Sequence, residues 1–390
     1  MKNIPVFYCP EMSVQTTSYS PSSNKPREAV DDWLMRDFAV TLIQPEAIDL
    51  QSLERAHDPK YVQAIFTGEE FNGFGNKDLA VAESLRYTVG AMYEAAHLAL
   101  MNKQVACAPV SGFHHAGYDF GGGFCTFNGL MVTLYKLRKR GLIKRALIAD
   151  EDYHFSNGCE HIIKLLGSTD WIELHSLGAH DLSGEESLDY LASTLDKHLP
   201  DVDIVLYQAG ADAHIDDPLG GVYTTQQMRK RDRIVFETCK KLGVPVAWAL
   251  AGGYSRDAAG SIEPVLALHR ATMEECAKVF IGPRLSTDRS SGFLLDQDDD
   301  LDPEGTPLQL LWYLKDQAAQ GVPGAKGEAM QFQKMAEAEI RANFELALKA
   351  LHFPDQKSLI HWMQNDSDAA RMAYADATYS EMLRRSWGRS

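Results

Sequence analysis

The chain has 390 residues, 45% of them hydrophobic, enough to bury a large core in one or two domains of ordinary globular composition. Its formal net charge of -16 disfavours a nucleic-acid partner and suits a cationic one, and no stretch approaches the unbroken apolar length of a membrane span. Met1 to Pro10 lack the basic start and apolar run of a signal peptide, so a cytoplasmic protein is expected, and its six cysteines, scattered without a C-x-x-C pair, are expected to stay reduced.

Asp58-Pro59 starts a helix over residues 60–66, and residues 78–101 carry apolar side chains at helical spacing. The loop between them, residues 71–76, holds Phe71 and Phe74, which either pack on the body or rim a pocket. From about residue 104 to 255, short apolar runs alternate with helical segments, the pattern of a parallel sheet covered on both faces. Strands are predicted at 105–108, 146–149, 171–174, 204–207 and 246–250. All but the third lead straight into polar or glycine-rich residues, at 111–115, 150–158, 208–212 and 251–254. Ligands in open α/β sheets bind beyond the carboxyl ends of the strands, so these ends converge on one rim. Residues 283–307 read as a polar acidic linker; its run Asp298-Asp299-Asp300-Leu301-Asp302 has leucine where a calcium loop needs glycine. Helical periodicity returns within 308–390, an accessory region for packing, self-association or partner binding.

The stretch Asp150-Glu151-Asp152-Tyr153-His154 follows a buried-strand run, and its alternation projects Asp150, Asp152 and His154 to one side. The alternative reading is an acidic strand end with a solvated histidine. With Asp212 from another strand end, Asp152 and His154 offer a divalent ion two carboxylates and one imidazole, leaving positions open as a catalytic site requires. Such a neutral assembly acidifies water less than a cationic one, so a nearby base is needed; one of His114 and His115 can serve, with the other as acid or electrostatic partner. Tyr254 follows two glycines and can donate a hydrogen bond to an oxyanion, while Gly123 and Phe124 either line a channel or pack in the core. Together the parts describe metal-assisted attack of water on an amide or ester.

These residues stand in motifs that resemble the zinc-dependent histone deacetylase and acetylpolyamine amidohydrolase family. In family order they are His57-Asp58-Pro59-x-Tyr61; Gly112-Phe113-His114-His115-Ala116 with Gly123-Phe124-Cys125-x-Phe127-Asn128; Asp150-x-Asp152-x-His154-x-x-Asn157-Gly158; Gly210-Ala211-Asp212-Ala213-His214; and Gly252-Gly253-Tyr254. The resemblance covers roughly residues 1–282 and implies a three-layer arginase/deacetylase-like α/β fold with a mostly parallel sheet, followed by the C-terminal helical extension.

What the resemblance implies for the site is specific. Asp152, His154 and Asp212 match the zinc ligands, with ferrous iron as the other metal. His115 matches the general base, His114 its partner, and Asp150 and Asn157 the residues bonded to those imidazoles; Asn157 is neutral where some members carry aspartate, which makes its imidazole the less basic. Tyr254 matches the carbonyl-polarising tyrosine, Phe124 a wall of the acyl-lysine tunnel and Gly123 the point of closest chain approach. Phe155-Ser156 departs from the usual His-Gly, a change in the packing under the site more than in its ligands. A structural potassium ion is bound in the family through the Asp150 carboxylate and a small hydroxyl on the next strand; that place falls here on Glu173, beside Leu174, and the segment after His175 is too short for a second monovalent site. His175, His180 and His214 read as structural or solvated. The expected function is removal of an acetyl or other acyl group from a lysine side chain in a protein or peptide. The alternatives are an acetylpolyamine amidohydrolase and, from another class, a silent acyl-lysine or metal-binding module.

Overall fold

In the computed structural model, residues 1–16 and 20–282 are described; the predicted linker and accessory helices, at 283–390, lie outside the described residues. The framework is a seven-stranded sheet, β1 (Ile4–Phe7), β2 (Val40–Ile43), β3 (Val105–Ala108), β4 (Ala146–Asp150), β5 (Ile172–Ser176), β6 (Ile204–Gly210) and β7 (Val246–Ala251). Every pairing is parallel, and the spatial order is β2-β1-β3-β7-β6-β4-β5. The central strands β3, β4, β6 and β7 are buried along their whole length, which is why they read as unbroken apolar runs rather than as alternating ones.

Helices cover both faces of the sheet. α1 (Lys25–Met35), α2 (Leu50–Leu53), α3 (Pro59–Thr67), α4 (Leu79–Asn102) and α5 (Gly129–Lys139) precede β4 in the chain; α6 (Asn157–Leu165), α7 (Gly184–His198), α8 (Thr225–Leu242) and α9 (Glu263–Phe280) follow it. The ends of α3 are written in the sequence: the Asp58 side chain accepts from Lys60 N at 2.8 Å, Pro59 takes the first helical position, and Gly68 closes the helix in the left-handed conformation. Asp78 caps α4 in the same way, accepting from Ala80 N at 2.8 Å. The ring of Trp248 on β7 meets Trp33 of α1 and Phe236 of α8 at centroid distances of 5.9 and 6.0 Å, joining that helical layer to the sheet.

Because all strands are parallel, their carboxyl ends share one edge, and register then decides which side chains meet there. Asp150 stands opposite Gln208 on β6 and Ser176 on β5, and Gly210 stands opposite Ala251. All six cysteines are buried and unpaired, and no helix among the described residues is long and apolar enough to cross a membrane.

Candidate functional site

β4 stops at Asp150 and the turn after it carries Asp152 and His154, while the loop after β6 carries Asp212. Ligand atoms of Asp152, His154 and Asp212 lie within 4.8 Å of one another. His154 Nδ1 is 3.1 Å from Asp152 Oδ1 and 2.9 Å from Asp212 Oδ2. Backbone amides aim the carboxylates: Asp212 Oδ1 accepts from Tyr153 N at 3.2 Å, and Asp152 Oδ1 from His154 N at 2.9 Å.

Two buried carboxylates and one partly exposed imidazole form a donor set that suits zinc or ferrous iron with positions left over. Hydrogen bonds to Asp152 and Asp212 hold His154 up to about 10, its Nδ1 lying between the two carboxylates. Burial and the neighbouring Asp152 raise Asp212; burial works against Asp152 too, but His114 and the hydrogen bonds from His154 outweigh it and hold that carboxyl low.

The adjacent imidazoles, delivered by the loop after β3, have their ring centroids 4.0 Å apart and differ in their surroundings. His114 is buried with Nδ1 2.7 Å from Asp150 Oδ2 and Nε2 3.6 Å from Asp152 Oδ1. Burial opposes its charge, yet the Asp150 and Asp152 carboxylates prevail and raise His114 to about 9. His115 Nδ1 lies 2.6 Å from Asn157 Oδ1, and burial together with the charge of His114 lowers its pKa. In the metal-free protein near neutral pH the first imidazole is therefore cationic and the second unprotonated.

Asp150 is the hub beneath them. Besides His114 it accepts from Gln208 Nε2 at 2.9 Å, from Asp152 N at 3.2 Å and from the Ser156 hydroxyl. Gln208 Oε1 in turn accepts from Phe113 N at 3.0 Å, tying β6 to the histidine loop. The anticipated potassium set comes apart in the sheet. Glu173 stands opposite Leu147, and its carboxylate bonds Arg145 Nη2 at 3.0 Å; Leu174 stands opposite Ile148. The hydroxyl opposite Asp150 belongs to Ser176, whose Oγ is 3.1 Å from Ser156 Oγ. Counting along the sequence placed that position three residues early, because β5 runs on to Ser176 before it reaches the level of Asp150.

Tyr254 follows β7. Its amide donates to Asp217 Oδ2 at 2.7 Å, its ring lies 5.7 Å from that of Phe124, and burial with the Asp152 and Asp212 charges raises the phenol, which stays protonated and able to donate. The Phe74 ring centroid lies 6.0 Å from that of Phe124, so the loop at 71–76 reaches this side of the site. A Cβ at Gly123, whose φ is +52°, would lie 2.3 Å from His115 Cδ2, which explains a glycine there. His57, His175, His180 and His214 lie elsewhere: His57 accepts from Asn128 N at 2.8 Å, His175 bonds the buried Glu151 at 2.7 Å, His180 lies against Tyr190 and His214 bonds Thr225.

Three further residues hold the site through contacts that the sequence did not indicate. Ser156 reaches Asp150 across the turn after β4, Asp217 bonds the amide of Tyr254, distant in the chain, and Lys25, fully buried at the start of α1, donates from Nζ to the Gly252 carbonyl.

The histone deacetylase domain model matches residues 23–182 and 178–267. An uncharacterized protein of Picosynechococcus sp. is 32% identical over 59% of this chain and 84% of its own length. Histone deacetylase 2 of Arabidopsis thaliana is 28% identical over 38% of this chain and 44% of itself, and acetylpolyamine amidohydrolase 1 of Pseudomonas aeruginosa is 25% identical over 44% and 59%. Among solved structures, the HD domain of HDA15 superposes with a TM-score of 0.58 at 19% identity over 73% of this chain and 91% of that one. An acetylpolyamine aminohydrolase from Burkholderia pseudomallei gives 0.54 at 16% identity over 71% and 99%, so both share the fold. By its domain match and its closely covered relative, this chain belongs to the histone deacetylase domain family, a family of deacetylase hydrolases.

Proposed function

We propose that the chain is a metal-dependent deacylase that hydrolyses the N-acyl amide of a lysine side chain. The supporting observation is the gathering of Asp152, His154 and Asp212 with a cationic His114, a neutral His115 and a protonated Tyr254 at one edge of the sheet. Asp152, His154 and Asp212 would hold zinc or ferrous iron, which would supply Lewis acidity and make water easier to deprotonate for attack on a carbonyl. His115, its Nδ1 tied to Asn157, takes the proton of the attacking water at Nε2. The Tyr254 phenol donates to the oxygen that becomes negative, and His114, bonded to Asp150 with its ring 4.0 Å from that of His115, is the partner imidazole. An imidazole then protonates the departing amine, since an unprotonated amine anion is not a viable leaving group. Gly123 and Phe124 wall the approach to this centre.

A second reading, an acetylated polyamine as substrate, is favoured by the net charge of -16 and by the activity named for the Pseudomonas relative. Acetyl-lysine peptides assayed beside acetylated putrescine and spermidine, on zinc-loaded protein, separate the two. Turnover of peptides that falls about 10²-fold or more in both Tyr254→Phe and His115→Ala supports the lysine deacylase. Turnover of polyamines alone moves the substrate to the small-molecule branch. Stoichiometric zinc uptake without cleavage of either class, or of longer acyl amides, overturns the enzyme reading in favour of a binding module.

A further inference from the structure

Lys25 is the first residue of α1 and is fully buried. Its position is unfavourable three times over: an ammonium out of water, at the positive end of a helix, with three donors and a single acceptor among the described residues. That acceptor is the carbonyl of Gly252, and the ammonium lies 6.0 Å from the centroid of the Tyr254 ring. Attraction to Asp212, Asp152 and Asp217 offsets part of the burial, which nonetheless pulls the group down to about 8.

The turn it grips has no stiffness of its own. Gly252 and Gly253 have φ of +41° and +87°, and a Cβ at Gly252 would lie 2.2 Å from the Asp212 carboxyl carbon. Glycines are needed for so close an approach, and their freedom would leave the next residue loosely held. On the far side of the turn Asp217, also buried, accepts the Tyr254 amide at 2.7 Å and the Leu219 amide at 3.0 Å.

We infer that Lys25 and Asp217 are positioning residues for Tyr254, clamping a flexible glycine turn by its Gly252 carbonyl and its Tyr254 amide so that the phenol is fixed over the metal-ligand cluster. The inference rests on the assignment of Tyr254 to the carbonyl. A helix start from one end of the chain and a loop following β6 thus set the geometry of a residue following β7.

The test is a mutant cycle with an independent structural readout. Lys25→Met, which keeps the volume and removes the charge, lowers kcat about 10²-fold, the loss expected when a catalytic group shifts by about 1 Å, and leaves KM nearly unchanged. Lys25→Arg, able to reach the same carbonyl, restores most of kcat. In a Tyr254→Phe background Lys25→Met has no further effect, because a clamp has nothing left to position. Deuterium uptake at residues 250–256 rises in Lys25→Met and in Asp217→Asn and returns to the wild-type level in Lys25→Arg. Losses that add in the double variant, or uptake that does not change, overturn the clamp. If wild-type protein cleaves no acyl amine, the deacylase assignment fails, and the uptake experiment still decides whether the turn is clamped.

Discussion

His114 and His115 are neighbours in sequence and opposites in electrostatics. The first faces the Asp150 carboxylate and is raised to about 9; the second faces an amide and is lowered by burial and by its charged neighbour. Asn157 therefore keeps His115 available as a base at acidic pH, whereas a carboxylate in its place would favour the imidazolium. Asn157→Asp tests this. His115 must be unprotonated to act, so a raised pKa moves the acidic limb of kcat/KM to higher pH by about one unit or more. A limb that stays put, or moves to lower pH, would remove His115 from the role of base. Sequence alone made the pairing of His115 with Asn157 accessible through the family motif, but Ser156 was taken as a change in packing. Its hydroxyl instead donates to Asp150, a contact created by the turn between β4 and α6.

Elements are legible where local rules suffice. The five strands between residues 105 and 251 and the capped helices α3 and α4 follow from apolar runs and from Asp58, Gly68 and Asp78. β1 and β2, four residues each, are too short to show a period and take their place only by pairing with each other and with β3. Register is likewise not local, and this is why Glu173 stood in for Ser176. His57 shows an element held by a long-range bond: Nε2 accepts the Asn128 amide at the start of α5, and Nδ1 donates to the Tyr118 carbonyl at 3.3 Å. Burial lowers this imidazole from 6.5 to about 4, so the unfolded chain takes up the proton first. Its contribution is full above pH 6.5 and is lost as pH falls toward about 4, by roughly 3 kcal/mol at most. Urea unfolding of His57→Gln should show a shallower decline over that window than wild type. Parallel declines would mean that His57 is not held neutral.

At the scale of the whole molecule, the sheet brings like charges together that need a positive charge between them. In the metal-free protein His154 supplies that charge by keeping its proton up to about 10, above its ordinary 6.5. A group raised on folding stabilises fully below its unfolded pKa, and that stabilisation disappears as pH rises through the folded value. Chelated protein should therefore lose stability as pH rises from 6.5 toward about 10, when Asp152 and Asp212 are left facing each other without a proton between them. Zinc-loaded protein has no such loss, since the ion replaces the proton. Loading also stabilises by mass action, about 2.7 kcal/mol at a free metal concentration a hundred times Kd. The difference in Tm between loaded and chelated protein should thus widen between pH 6.5 and about 9, and calorimetric titration in buffers of different ionisation enthalpy should register proton release on binding. Taking the difference cancels every titration common to the two forms, His57 included. A gap that narrows with rising pH would mean that the proton and the ion do not compete for the same place, and Asp152, His154 and Asp212 would lose their assignment as the metal site.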